Sequence, residues 1–173
     1  MGSIVGCSSI QVASQKDPNA NLAGLRTFDF VPSPSDQSVH SIANTQIKNS
    51  VTSNLDKIGV TPASPAERPD FLIAYNTSVF NIVNANQSSV GVGFGVVPGI
   101  GIGASTPVGS ASTEQRGNLT LSFIDPQKNA EIWRSTATAS LDGSNRDVEK
   151  IQIAVQKMIG EFKDARDHGN QAS

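Results

Sequence analysis

At 173 residues the chain has the length of a single domain with loose ends. Net charge is −2 and the 13 basic residues are scattered, so there is no electrostatic footprint for nucleic acid; aromatic residues, at 5%, are too few for a stacking platform. No apolar run reaches the length of a membrane span. The lone cysteine, Cys7, excludes an internal disulfide, and with only His40 and His168 beside it no metal site is expected.

In chain order, Ile4-Val5-Gly6-Cys7 has the form of a bacterial lipobox, after which the cysteine becomes the acylated first residue. A full cleavage signal also needs a basic and an apolar region upstream, so an ordinary terminal cysteine stays open as the alternative. Residues 1–6 then read as a signal remnant or an expression scar. A myristoylation reading of Gly2 fails because Gly6 stands where Ser or Thr is wanted. Residues 7–24 are polar, with Asp17-Pro18-Asn19, and are expected to form a flexible tether.

Residues 25–162 are expected to be one domain. Leu25–Val31 (LRTFDFV) reads as a short strand ended by Pro32 and Pro34. Ser38–Ile58 is the clearest helix: Val39, Ala43, Ile47, Val51, Leu55 and Ile58 make one stripe, Asp36 or Ser38 can cap it, and Gly59 stops it. Residues 61–69 carry prolines and read as a loop, and Phe71–Val83 as a strand. Residues 90–109 alternate Gly with Val90, Val92, Phe94, Val96, Ile100 and Ile102, around Pro98-Gly99. That pattern predicts a Gly-rich hairpin or loop insert. A dinucleotide reading of its glycines fails because no helix pattern follows.

Gly117–Leu141 is the organising stretch. Leu119, Leu121 and Phe123 alternate with polar residues, Asp125–Asn129 supplies a turn, and Trp133, Ala137, Ala139 and Leu141 share one face of the return run. Arg134 falls on the opposite face, as a packed tryptophan's solvated neighbour or as a recognition residue. Ser144 opens a second helix whose stripe is Val148, Ile151, Val155, Met158, Ile159 and Phe162. Residues 163–173 are polar and expected to be a flexible tail. The sum is an α+β two-layer sandwich, a mainly antiparallel sheet covered on one face by two helices, with Trp133, Phe123 and Leu121 in the core.

These pieces resemble a bacterial lipoprotein family, domain of unknown function 4136 (DUF4136). The likeness rests on Cys7, LRTFDF, Lys57-Ile58-Gly59, Pro69-Asp70 before FLIAY, the Gly-rich middle, and LTLSFIDPQKNAEIWRSTA followed by a helix, over roughly residues 20–162. What the resemblance implies is a protein acylated at Cys7 (palmitate), anchored in the outer membrane facing the periplasm; Ser8 after the cysteine fits that sorting. It transfers no catalytic residues. No G-x-S-x-G elbow is present, neither histidine has a persuasive partner, and Asp125, Glu131 and Asp142 suit turn and edge roles.

The expected function is therefore a non-enzymatic, cofactor-free binding or scaffolding module. Its partners would be the membrane, through Cys7, and an envelope protein, through Val92, Phe94, Val96, Ile100, Ile102 or Arg134. A carrier of a small apolar ligand or lipid between sheet and helices is the alternative, and a hydrolase the third reading.

Overall fold

The apolar side chains of alternate strand residues are gathered on one face of a single sheet, and two helices lie on that face. The computed structural model describes residues 10–32, 41–84, 112–142 and 146–168. Within these, β1 (Gln11–Lys16), β2 (Thr27–Phe30), β3 (Thr61–Pro62), β4 (Phe71–Asn84), β5 (Ser112–Asp125) and β6 (Ala130–Leu141) pair in the order β1-β6-β5-β4-β2-β3. The helices are α1 (Ser41–Asp56) and α2 (Arg146–His168). The expected α+β architecture is present. The expected helix caps Asp36, Ser38 and Ser144 lie outside the described residues.

The β5–β6 hairpin forms as its alternation predicts. Phe123 stands opposite Trp133 and Leu119 opposite Ala137, and all four are buried together with Leu121. In the turn, Asp125 Oδ1 accepts the N–H groups of Gln127 and Lys128 at 2.8 and 3.2 Å, while Asn129 takes the left-handed conformation at φ 50°. A register shift between Phe123 and Ile124 lets the consecutive residues Ile132 and Trp133 both be buried.

The sheet is mainly antiparallel, as expected, with β2 parallel to β3 and β4 because α1 carries the chain back before the next strand starts. Two expectations change. The segment expected as a tether contains β1, paired antiparallel with β6 from Gln11–Thr138 to Lys16–Trp133. Its polar residues gave little periodic signal, but it starts from a buried Ile10. The helix expected to fray after Phe162 continues to His168, where Ala165 packs on the core and Arg166 is buried.

Asp70 pins the start of β4. Its Oδ2 accepts the N–H groups of Arg26 and Thr27 at 2.8 and 2.9 Å, and its own N–H donates to the Thr27 carbonyl at 2.9 Å. The end of α1 is closed by paired reversed bonds: Val60 N–H donates to Leu55 O and Gly59 N–H to Asp56 O, each at 3.0 Å, with Gly59 at φ 77°. Arg166 of α2 adds a bond from Nη2 to the Ile58 carbonyl at 3.1 Å, tying the helix ends together.

Phe162 of α2 closes one end of the core. Its ring centroid lies 4.8 Å from Phe123, 5.4 Å from Trp133 and 6.1 Å from Phe71. Phe71–Phe123 and Phe123–Trp133 are each 4.7 Å apart. These tilted and edge-on geometries are the favourable ones for aromatic pairs.

Candidate functional site

The opposite end of the helix-covered face is built from small residues, and the described residues do not fill it. Gly117 on β5, Ala137 and Ala139 on β6 and Ala154 on α2 line a crevice of about 220 Å³, with Ile47, Val79, Leu119, Leu141 and Ile151 completing its apolar walls. A Cβ on Gly117 would lie 3.0 Å from Leu141 Cδ1, so a larger residue there fits only if that leucine side chain yields. The space exceeds the roughly 150 Å³ of a dry cavity that accepts benzene.

The charged lip of the crevice is already matched. Lys150 Nζ reaches Asp147 Oδ1 at 2.9 Å, Asp142 Oδ2 at 3.5 Å and the Ser140 carbonyl at 2.8 Å. The hydrogen bond to Asp147 above all holds the Lys150 ammonium protonated beyond its ordinary range. An apolar ligand would thus meet satisfied polar groups rather than a free charge.

Among the described residues no helix covers the other face of the sheet, and that face is mostly polar. Thr120 and Thr136 share a hydroxyl bond at 3.0 Å, and Thr138 donates to Asn118 at 2.6 Å. Ser140 donates to Glu114, which also pairs with Arg116 at 3.2 Å. The Ser140 bond, then Arg116, lowers the Glu114 carboxyl below its ordinary value of 4.5. A folded-state value below the unfolded one stabilises the fold above about pH 4.5, and that contribution disappears as pH falls through the folded value. Glu114→Gln should therefore melt lower than wild type at neutral pH, with the gap closing in acid; thermal scans across that range check it.

Arg134 lies on this polar face, opposite Trp133 as its position in the strand requires. It bonds Glu131 through Nη2 at 2.9 Å and Nε at 3.1 Å. Trp133, Phe123 and Leu121 take their expected core places. Cys7 and the candidate contact residues Val92, Phe94, Val96, Ile100 and Ile102 lie outside the described residues. Sequence reasoning allowed for a space between sheet and helices but did not name the small residues that line it. Their signal was the run of alanines facing Gly117, which says "small" without saying what lies above. Among the described residues no group of His, Cys, Asp or Glu is arranged to hold a metal, and no helix is long and apolar enough to cross a membrane.

The family profile described as "Domain of unknown function (DUF4136)" matches residues 12–162. The chain belongs to the DUF4136 family. No curated protein matches it. Among solved structures, this DUF4136 chain is similar to the PelC dodecamer from Paraburkholderia phytofirmans, at 12% identity and TM-score 0.51, over 90% of this chain and 98% of that one. It is also similar to a PDZ domain protein from Parabacteroides distasonis, at 18% identity and TM-score 0.56. There it covers 88% of this chain but only 36% of that one. At such identities the likeness is one of fold.

Proposed function

We propose that this DUF4136 protein is a non-enzymatic, lipid-anchored module of the bacterial envelope, held close to the outer membrane on its periplasmic side and binding or scaffolding another envelope component. The observation that carries the reading is the spacing between the lipobox-like cysteine and the sheet. Ile10 is buried, Lys157 Nζ donates to its carbonyl at 3.2 Å, and β1 begins at Gln11. From Cys7 to Ile10 the chain spans at most roughly 10 Å, so an acylated Cys7 would hold the domain against the lipid surface rather than on a long leash. Several acyl chains anchor stably where one binds only marginally. Assembly into a larger envelope structure fits the same reading, the PelC neighbour being described as a dodecamer.

Expression in a bacterial host behind a lipoprotein signal tests it. Wild type should fractionate with membranes and yield an acylated Cys7 peptide by mass spectrometry, while Cys7→Ser should move to the soluble periplasmic fraction. An unmodified Cys7, or a Cys7→Ser distribution identical to wild type, contradicts the anchor. Partner capture by the full chain and by a form lacking residues 90–109 tests the contact region, which is rejected if the partners are the same.

The crevice favours a second reading, in which the module carries a short acyl chain or another small apolar group. Native mass spectrometry should then detect a bound lipid that is lost in Ala139→Phe, a substitution that fills the space. Protein free of lipid that also fails to bind a fluorescent fatty acid would reject that reading.

A further inference from the structure

β4 is much longer than the strand beside it. β2 pairs only with Phe71–Ile73, and past that point no other described strand lies on that side of β4. The direction of the exposed peptide groups follows from one bond: Val31 N–H donates to Ile73 O at 2.9 Å, so Ile73 turns its peptide groups towards the β2 side. Residues at every second position do the same. Thr77, Val79 and Asn81 therefore present N–H and C=O groups to the open edge, while Ser78 and Phe80 bond towards β5, opposite Asn118 and Arg116.

Natural sheets blunt such edges with charge, proline or a bulge. β4 has no charged residue and no proline along FLIAYNTSVFNIVN, and its pairing with β5 runs without a register shift. It also carries two exposed large apolar side chains, Val79 at 51% and Phe80 at 37%. An open, uncharged edge with apolar side chains is a template for strand addition.

We propose that the β4 edge from Thr77 to Val83 is a homodimer interface, in which the same strand of a second copy adds antiparallel about a two-fold axis at Phe80. A second copy fits for two reasons. The edge brings no like charges together, and the two-fold register is self-complementary. It sets Val79 opposite Asn81 of the partner copy in both directions, so that outward peptide groups face outward peptide groups. The two Phe80 rings then meet as a non-hydrogen-bonded pair, the closest type of cross-strand pair.

The test is sedimentation equilibrium on the full chain with two variants. Asn81→Pro removes an outward N–H that makes no bond to β5, so proline is tolerable there as on any edge strand. It should weaken the dimer about tenfold or more while the far-ultraviolet circular dichroism stays that of wild type and the melting curve matches wild type at dilutions where both are monomeric. Phe80→Cys in a Cys7→Ser background should cross-link to a disulfide dimer under mild oxidation, because Cα atoms of such a pair, about 4.5 Å apart, fall within disulfide range. A wild type that stays monomeric at its highest soluble concentration overturns the proposal. So does a dimer that survives Asn81→Pro, or one that Phe80→Cys fails to cross-link.

Discussion

Phe162→Ala should lower the unfolding free energy by about 3–5 kcal/mol, the range for deleting a buried phenylalanine. The reason is positional as well as chemical. Phe162 is fully buried and its ring contacts Phe71 on β4, Phe123 on β5 and Trp133 on β6, so one truncation opens a void beneath α2 across three strands. For a chain of this size the corresponding loss in melting temperature is roughly 10 °C. Phe162→Leu, which refills most of the space, should recover much of it. Urea titration followed by circular dichroism checks both. A loss below about 1 kcal/mol for Phe162→Ala would mean that α2 is not clamped to the sheet as described.

The second large effect is expected at Asp70. Asp70→Ala removes the carboxylate that accepts the Arg26 and Thr27 N–H groups, leaving the β2–β4 junction with its backbone bonds and the bond from the residue 70 N–H to Thr27 Oγ1. The expected cost is about 2 kcal/mol, in the range for hydrogen bonds to a charged group. Asp70→Asn keeps an acceptor oxygen and should lose less than half of that. Amide exchange gives a sharper readout: in Asp70→Ala the Thr27 amide should lose protection while the Trp133 region keeps it. Equal losses in both places would show a global effect and contradict the local pin.

Much of the fold was legible because the strongest segments carry a period that only one structure satisfies. Leu119, Leu121 and Phe123 against Trp133 and Ala137 could form little but a half-buried hairpin, and the α1 stripe with Gly59 could form little but a capped helix. β1 was illegible for the opposite reason. An edge strand buries few side chains, so QVASQK owes its structure to backbone pairing with β6 rather than to its own pattern. The direction of β2 depends on where α1 returns the chain, which no local pattern records. Arg166 reads as a solvated tail residue until the turn after α1 supplies a carbonyl at Ile58 for it to meet.

The functional surfaces were less legible still. Gly117, Ala137, Ala139 and Ala154 are small for a reason that appears only when sheet and helix face each other and leave the crevice between them. Likewise, Val79 and Phe80 look like ordinary alternation in a strand. They lie where β4 runs on to Asn84, past the end of β2 at Phe30. Crevice and edge alike follow from a sheet whose strands outrun the elements that cover them.

Trp133 fluorescence tests that architecture most directly, since it is the chain's only tryptophan and 1% exposed beneath α2. The native protein should emit well to the blue of its urea-unfolded form and resist quenching by iodide, and Phe162→Ala should measurably increase that quenching. Native emission at the wavelength of free indole, with quenching equal to that of the unfolded chain, would contradict the packing of the helices on this face.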